Sequence, residues 1–193
     1  MMRHNIILEG YGVILRPVAF DDSEFIVTLR NMPHAVGKIG DSANTIVDQN
    51  KWLQKYMERQ GDYYFVIESR LGKKLGTISV YNIDMDNATA ELGRTVVVPG
   101  SFAVIPASIL LIDFCFQQLK MEMLVGCVVS TNKDVIIFNQ QLGYTVTDTV
   151  SHELSIGGRF VDMVHIQLTK KRWLEHREQL VKYAVSGERF QIA

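Results

Sequence analysis

Residues 90–144 hold the feature that most limits how this chain can fold: an apolar strand, a turn, an amphipathic helix, a second strand and a second helix in unbroken succession. The segment Glu91-Leu92-Gly93-Arg94-Thr95-Val96-Val97-Val98 is rich in β-branched residues and stops at Pro99-Gly100, as a long strand ended by a turn does. The turn 99–103 feeds a helix opened by Pro106, whose ring suits a first helical turn. The run 123–129 is short and almost wholly apolar, which predicts a strand buried on both faces. Asn132 begins a further helix, and Leu142-Gly143-Tyr144 ends it. A strand that points its end at a loop and a helix N-terminus is suited to anionic phosphate, so a nucleotide-like cofactor is the first expectation.

The flanking segments extend this order. Residues 12–18 read as a first strand, with Pro17 confining it to an edge or a strand end. Asp21 or Asp22 can cap a helix running to about Arg30. The polar stretch 31–43, with its glycines and Pro33, reads as a functional loop. A second helix carries Ile46, Val47, Trp52, Leu53, Tyr56 and Met57. Strand pairs follow at 63–68 with 74–83, and at 144–155 with 159–168, the latter joined by Gly157-Gly158. A charged helix at about 170–184 closes the chain, with a frayed tail at 188–193. The order β-α-α-β-β-β-α-β-α-β-β-α runs three strands together before its crossover, so it is neither a Rossmann pattern nor a barrel alternation.

Composition removes several classes of function. The 193 residues suit one domain, 1–193, with a sizeable core. Twenty basic against twenty-one acidic residues give no argument for a nucleic-acid or membrane surface. No apolar run approaches a membrane span, and the N-terminus lacks the pattern of a secretory signal, so a cytoplasmic address is expected. Cys115 and Cys127 lie in apolar elements and are expected to be reduced, buried thiols, and the five histidines show no metal-ligand spacing.

The order of elements, with these residues in it, resembles the GNAT superfamily of acyl-CoA-dependent N-acetyltransferases, over residues 12–168. Segment 90–94 continued through Phe114-Cys115-Phe116 looks like that family's fourth strand, pyrophosphate loop and third helix. Segment 132–144, Asn-Lys-Asp-Val-Ile-Ile-Phe-Asn-Gln-Gln-Leu-Gly-Tyr, resembles its next helix. Leu29-Arg30-Asn31-Met32-Pro33 and Gly76-Thr77-Ile78-Ser79 look most like enzymes of the pseudaminic-acid pathway type, which acetylate nucleotide-linked amino sugars. The resemblance implies an α/β (α+β) fold: a mixed, mostly antiparallel central sheet, flanked by helices and splayed between its fourth and fifth strands, 91–98 and 123–129. It implies acetyl-CoA as co-substrate, a small amine as acceptor, no metal, and a possible homodimer.

It also assigns candidate residues. Val96 and Val98 on the splayed strand, with Gly100, Ser101, Phe102, Ala103 and Val104 at the helix start, are expected to bind the cofactor, mainly through backbone amides. Asn132 suits the pantetheine amides, or is a plain helix cap, or both. Glu91 is the candidate general base, and otherwise a strand-edge carboxylate paired with a lysine. Ser79 matches a serine that relays the amine's proton through water, and otherwise bonds to a neighbouring strand. Asn139 stands where the family commonly has a tyrosine that protonates the departing thiolate, a task a carboxamide cannot perform. Arg30 matches an arginine that meets nucleotide phosphate, or else forms an ion pair at a helix end. Asn31, His34 and Asn50 are expected near the same acceptor. His165 reads as structural, and Trp52 and Trp173 as core. Three functions stay open: acetylation of an amino-sugar nucleotide, acetylation of a protein N-terminus or other small amine such as a polyamine, and acyl-CoA binding without catalysis.

Overall fold

The computed structural model describes residues 4–39 and 45–188; part of the expected loop at 31–43 and nearly all of the frayed tail lie outside the described residues. A short hairpin opens the fold, β1 (Leu8–Gly10) and β2 (Val13–Pro17). Its two turn residues, Tyr11 and Gly12, both have positive φ (51° and 82°), as a tight hairpin turn that matches strand twist requires. The sequence reading has no counterpart for β1. There follow α1 (Ser23–Arg30), α2 (Ile46–Met57), β3 (Tyr63–Ser69), β4 (Lys74–Asp84), β5 (Thr89–Val97), α3 (Val104–Gln117), β6 (Met123–Val129), α4 (Lys133–Gln141), β7 (Thr145–Ile156), β8 (Arg159–Thr169) and α5 (Lys170–Gly187).

The strands form one sheet in the order β1-β2-β3-β4-β5-β6-β8-β7. Every neighbouring pair is antiparallel except β5 and β6. Those two are parallel and paired only at Thr89–Met123, Ala90–Leu124 and Glu91–Val125. Beyond Glu91 they part, which is the expected splay. On its other edge β5 carries one extra residue: Thr77 faces Val96 while Ser79 faces Gly93. Arg94, inside that bulge, has φ 51°, a left-handed conformation costly for a side chain that is not glycine.

Alternation along β3 divides the core. Phe65 and Ile67 join a large cluster with α3, α5 and the inner strands. Tyr64 and Val66 point the other way, onto Ile26 of α1 and Leu53 and Tyr56 of α2. The terminal helix is tied to α3 by Asp113, which accepts from Trp173 Nε1 at 2.8 Å and pairs with Arg177 at 2.7 Å. Trp173 is core as expected.

Several local expectations are corrected. Helix α3 starts at Val104, two residues before Pro106, and the proline is tolerated because first-turn amides have no intrahelical acceptor. Asp22 does not cap α1 with its side chain. Its buried carboxylate accepts from the Ala19 amide and pairs with Arg16 at 2.7 Å and Lys74 at 2.6 Å. Burial alone would raise this carboxyl, but the hydrogen bonds from Arg16 and Lys74 outweigh it and hold the pKa at about 2. Strand β6 is not buried on both faces: Leu124, Val128 and Val129 are buried, but Cys127 is exposed, because one face of the strand lines the opening beside β5. Cys115 alone is the buried thiol. Ile46 and Val47, on the first turn of α2, are exposed rather than packed. Among the described residues, no helix is long and apolar enough to cross a membrane.

Candidate functional site

The gap between β5 and β6 opens into a cleft of about 640 Å³. One wall comes from α1 and the turns after it, α2, β3, β4 and β5, and presents Arg30, His34, Lys38, Gln49, Trp52, Tyr64, Tyr81 and Arg94. The other comes from the start of α3, β6 and α4, and presents Val104, Ser108, Cys127, Val128, Asn132, Val135, Phe138 and Asn139.

Arg94 organises the first wall. Its guanidinium holds the nearly buried Asp62 in a two-pronged pair, at 2.6 and 3.0 Å. Its Cζ lies 4.2 Å from the Tyr81 ring centroid, 5.1 Å from Trp52 and 5.5 Å from Tyr64. Trp52 is therefore half-buried against the cleft rather than core, stacked on Tyr56 at 5.5 Å. Sequence reasoning missed Arg94, Trp52, Tyr64 and Gln49 as site residues.

Glu91 sits at the last paired position before the splay, and both its oxygens are held. Tyr81 Oη donates to Oε1 at 2.8 Å and Asn82 Nδ2 donates to Oε2 at 2.9 Å. The alternative of a lysine partner is not what the structure has. Tyr81 and Gly93 line the cleft and Glu91 does not, and the Tyr81 hydroxyl that donates to Glu91 lies over Gly93. Burial, and next the negative charge of Glu91, push the Tyr81 hydroxyl well above an ordinary tyrosine. The phenol crosses Gly93, where a Cβ would come within 2.6 Å of Oη. That glycine inside a strand is the sequence signal that could have located Tyr81. Ser79 is fully buried, donates to Gly93 O at 3.0 Å, and is not part of the cleft lining.

On the cofactor side, the backbone parity of β5 differs from expectation. The Val98 amide donates to Leu75 O, and the Val96 carbonyl also faces β4, against Gly76. The carbonyl on the open edge is that of Val97, which lies 3.1 Å from His34 Nε2. Gly100, Ser101, Phe102 and Ala103 form the turn into α3, with Gly100 at φ 78°. Two of its amides are used internally: Ser101 N donates to Val98 O and Ala103 N to Ser101 Oγ. The first-turn amides of α3, at Val104 and Ile105, have no intrahelical acceptor. Asn132 occupies the cap position of α4 but makes no capping bond with its side chain, and it lines the cleft. Asn139 also lines the cleft, with its amide donating back to Val135 O at 2.8 Å. Although Cys127 is exposed to the open cleft, partial desolvation by the cleft walls, and next the charges of Glu91 and Glu153, push its thiol up to about 11.

Of the acceptor-side candidates, Arg30 and His34 line the cleft. Burial lowers the Arg30 pKa, and the like charge of Arg94 acts in the same direction. Asn31 is exposed and outside the lining, and Asn50 accepts a hydrogen bond from Ser23 that ties α2 to α1; its neighbour Gln49 is the residue that faces the cleft. His165 is paired with Glu153 at 2.6 Å. Among the described residues no cluster of three ligating side chains could hold a metal ion.

Comparison with known proteins agrees with this architecture. The family profile of the acetyltransferase (GNAT) domain matches residues 13–145. The spermidine N(1)-acetyltransferase of Escherichia coli K12 is 23% identical over 173 residues, 87% of this chain and 92% of its own length. A Bacillus subtilis protein provisionally named a ribosomal N-acetyltransferase, YdaF, is 25% identical over 127 residues, 63% of this chain and 67% of its own. Among solved structures, a GCN5-related N-acetyltransferase from Brucella melitensis superposes with TM-score 0.81 at 17% identity, covering 94% of this chain and 86% of that one. The spermidine N-acetyltransferase of Vibrio cholerae, solved with CoA and spermine, gives 0.76 at 17% identity, covering 86% and 99%. With its splayed sheet and the profile match over most of its length, this chain belongs to the GNAT family of N-acetyltransferases, which use acetyl-CoA as co-substrate.

Proposed function

We propose that the protein transfers an acetyl group from acetyl-CoA to the primary amine of a small acceptor that also carries anionic groups, preferably a nucleotide-linked amino sugar. The observation that carries this reading is the charge of the acceptor wall. Arg30, Lys38 and Arg94 line it, and Asp134, on α4, is the one carboxylate among the described lining residues. An acceptor with diphosphate oxygens gains from the positive charge of such a wall. Spermidine and spermine, named for two of the relatives, would bring several positive charges to it instead.

The pantetheine arm enters the splay and pairs with the unpaired edge of β5, as an added strand would. Asn132 reaches its amides, and the start of α3 meets the pyrophosphate. Attack by a neutral amine on the thioester needs a group to take a proton, since an alkyl ammonium has a pKa near ~10.4. Glu91 is that base. With Asn139 bonded back to its own helix, the leaving thiolate takes its proton from water.

Thiol release from acetyl-CoA with UDP-, dTDP- and CDP-linked amino sugars, spermidine and an N-terminal peptide tests the acceptor. Turnover of a nucleotide-linked amine is expected; turnover of spermidine alone would overturn the anionic acceptor. Binding of acetyl-CoA with turnover of no amine would support the non-catalytic reading.

A further inference from the structure

The base proposed above does not itself face the cleft. Glu91 is outside the lining, but its Oε1 accepts at 2.8 Å from the hydroxyl of Tyr81, which lines the cleft and lies over Gly93. The arrangement is held from every side. Asn82, in a left-handed conformation at φ 49°, fixes the second carboxylate oxygen. Gly93 leaves the space the phenol occupies, and Arg94 lies 4.2 Å from its ring. Ser79, the other candidate relay, is buried with its hydroxyl on Gly93 O.

We infer that Tyr81 is the residue that receives the acceptor's proton, relaying it to Glu91. This rests on the reading of Glu91 as base. As the amine nitrogen bonds to the thioester carbonyl carbon, its N–H proton passes to Tyr81 Oη while the phenolic proton passes to Glu91 Oε1. The C–S bond then breaks, sulfur keeps the electron pair, and the CoA thiolate takes a proton from solvent, to which Glu91 returns its own. The phenol is neutral before and after, so a hydroxyl that burial keeps protonated can still serve. A side chain that both donates and accepts is what the position requires, and a tyrosine hydroxyl does both.

The test compares wild type, Tyr81→Phe, Glu91→Gln and the double variant by kcat and KM, on whichever amine the wild type acetylates. Tyr81→Phe keeps the ring over Gly93 and beside Arg94. A loss of about 10²-fold is expected for each single variant. The double variant should lose little more, because the two act as one unit. The loss in Tyr81→Phe should fall on kcat, while acetyl-CoA affinity by calorimetry and thermal stability stay unchanged. A purely structural tyrosine would lower affinity or stability along with activity, and its loss would add to that of Glu91→Gln. Near wild-type activity in Tyr81→Phe with a large loss in Glu91→Gln would overturn the relay alone, and wild-type activity in both would overturn Glu91 as base. Preference for spermidine would overturn the anionic acceptor and leave the relay standing.

Discussion

On the wall formed by α2, β3, β4 and β5, side chains are fixed to one another: Arg94 to Asp62 and three aromatic rings, Tyr81 and Asn82 to Glu91. Across the cleft, β6 and α4 offer Val128, Val135 and Phe138 with three short polar side chains, Asp134, Asn139 and Asn132, whose carboxamide makes no capping bond. A wall that must orient a nucleophile and take its proton needs preset polar groups. A wall that receives a long flexible arm needs shape, apolar surface and strand backbone. The contrast teaches that substitutions on the first wall should affect stability and chemistry together, whereas those on the second should act mainly on cofactor affinity.

Asp62→Ala is the strongest way to break this contrast. It leaves a half-buried guanidinium without its carboxylate, among aromatic rings and near Arg30. A loss of about 3 kcal/mol in chemical denaturation is expected, as for breaking a buried ion pair. Asn132→Ala, across the cleft, should cost less than about 1 kcal/mol, because no cap bond is lost. Equal losses would erase the distinction.

The base of the first wall supplies a pH test. The Asp22 pKa of about 2 lies below the unfolded value near 3.9, so its contribution is complete above about pH 5 and lost as pH falls through about 2. That contribution is about 2.5 kcal/mol. The stability difference between wild type and Asp22→Asn should therefore narrow across this window, and a constant gap would show that ionisation is not its source.

What the sequence disclosed follows the range of the interactions. The β5 strand and the α3 helix were legible because β-branched runs and Pro99-Gly100 are local patterns, whereas the splay between β5 and β6 came only from the resemblance to a known family. The pairing of Arg94 with Asp62 was not, since the partners are 32 residues apart and neither has a distinctive neighbourhood. Cys127 was misjudged because an apolar strand reads the same whether its second face meets a core or a cleft. Expecting Val96 and Val98 at the cofactor edge missed the bulge at Arg94; the structure turns the Val97 carbonyl outward. Asn31 and Asn50 rested on location alone, and location in a fold does not fix where a side chain points.

The smallest effects belong to the second wall. Ser101→Ala removes the hydroxyl that accepts from the Ala103 amide and should weaken CoA binding only slightly by calorimetry, because the proposed pyrophosphate contacts are main-chain. Asn139→Ala should lower kcat by less than about tenfold, since a carboxamide is no acid. A larger loss would return Asn139 to the chemistry.

Whether the cleft takes an amine that also carries anionic groups is decided by a competition. Wild-type protein is given acetyl-CoA with a nucleotide-linked amino sugar and spermidine at equal concentration, and the ratio of acetylated products is read by mass spectrometry. That ratio equals the ratio of kcat/KM values. The charge of the Arg30 wall predicts that acetylated amino-sugar nucleotide dominates, whereas a predominance of acetylspermidine would contradict the account.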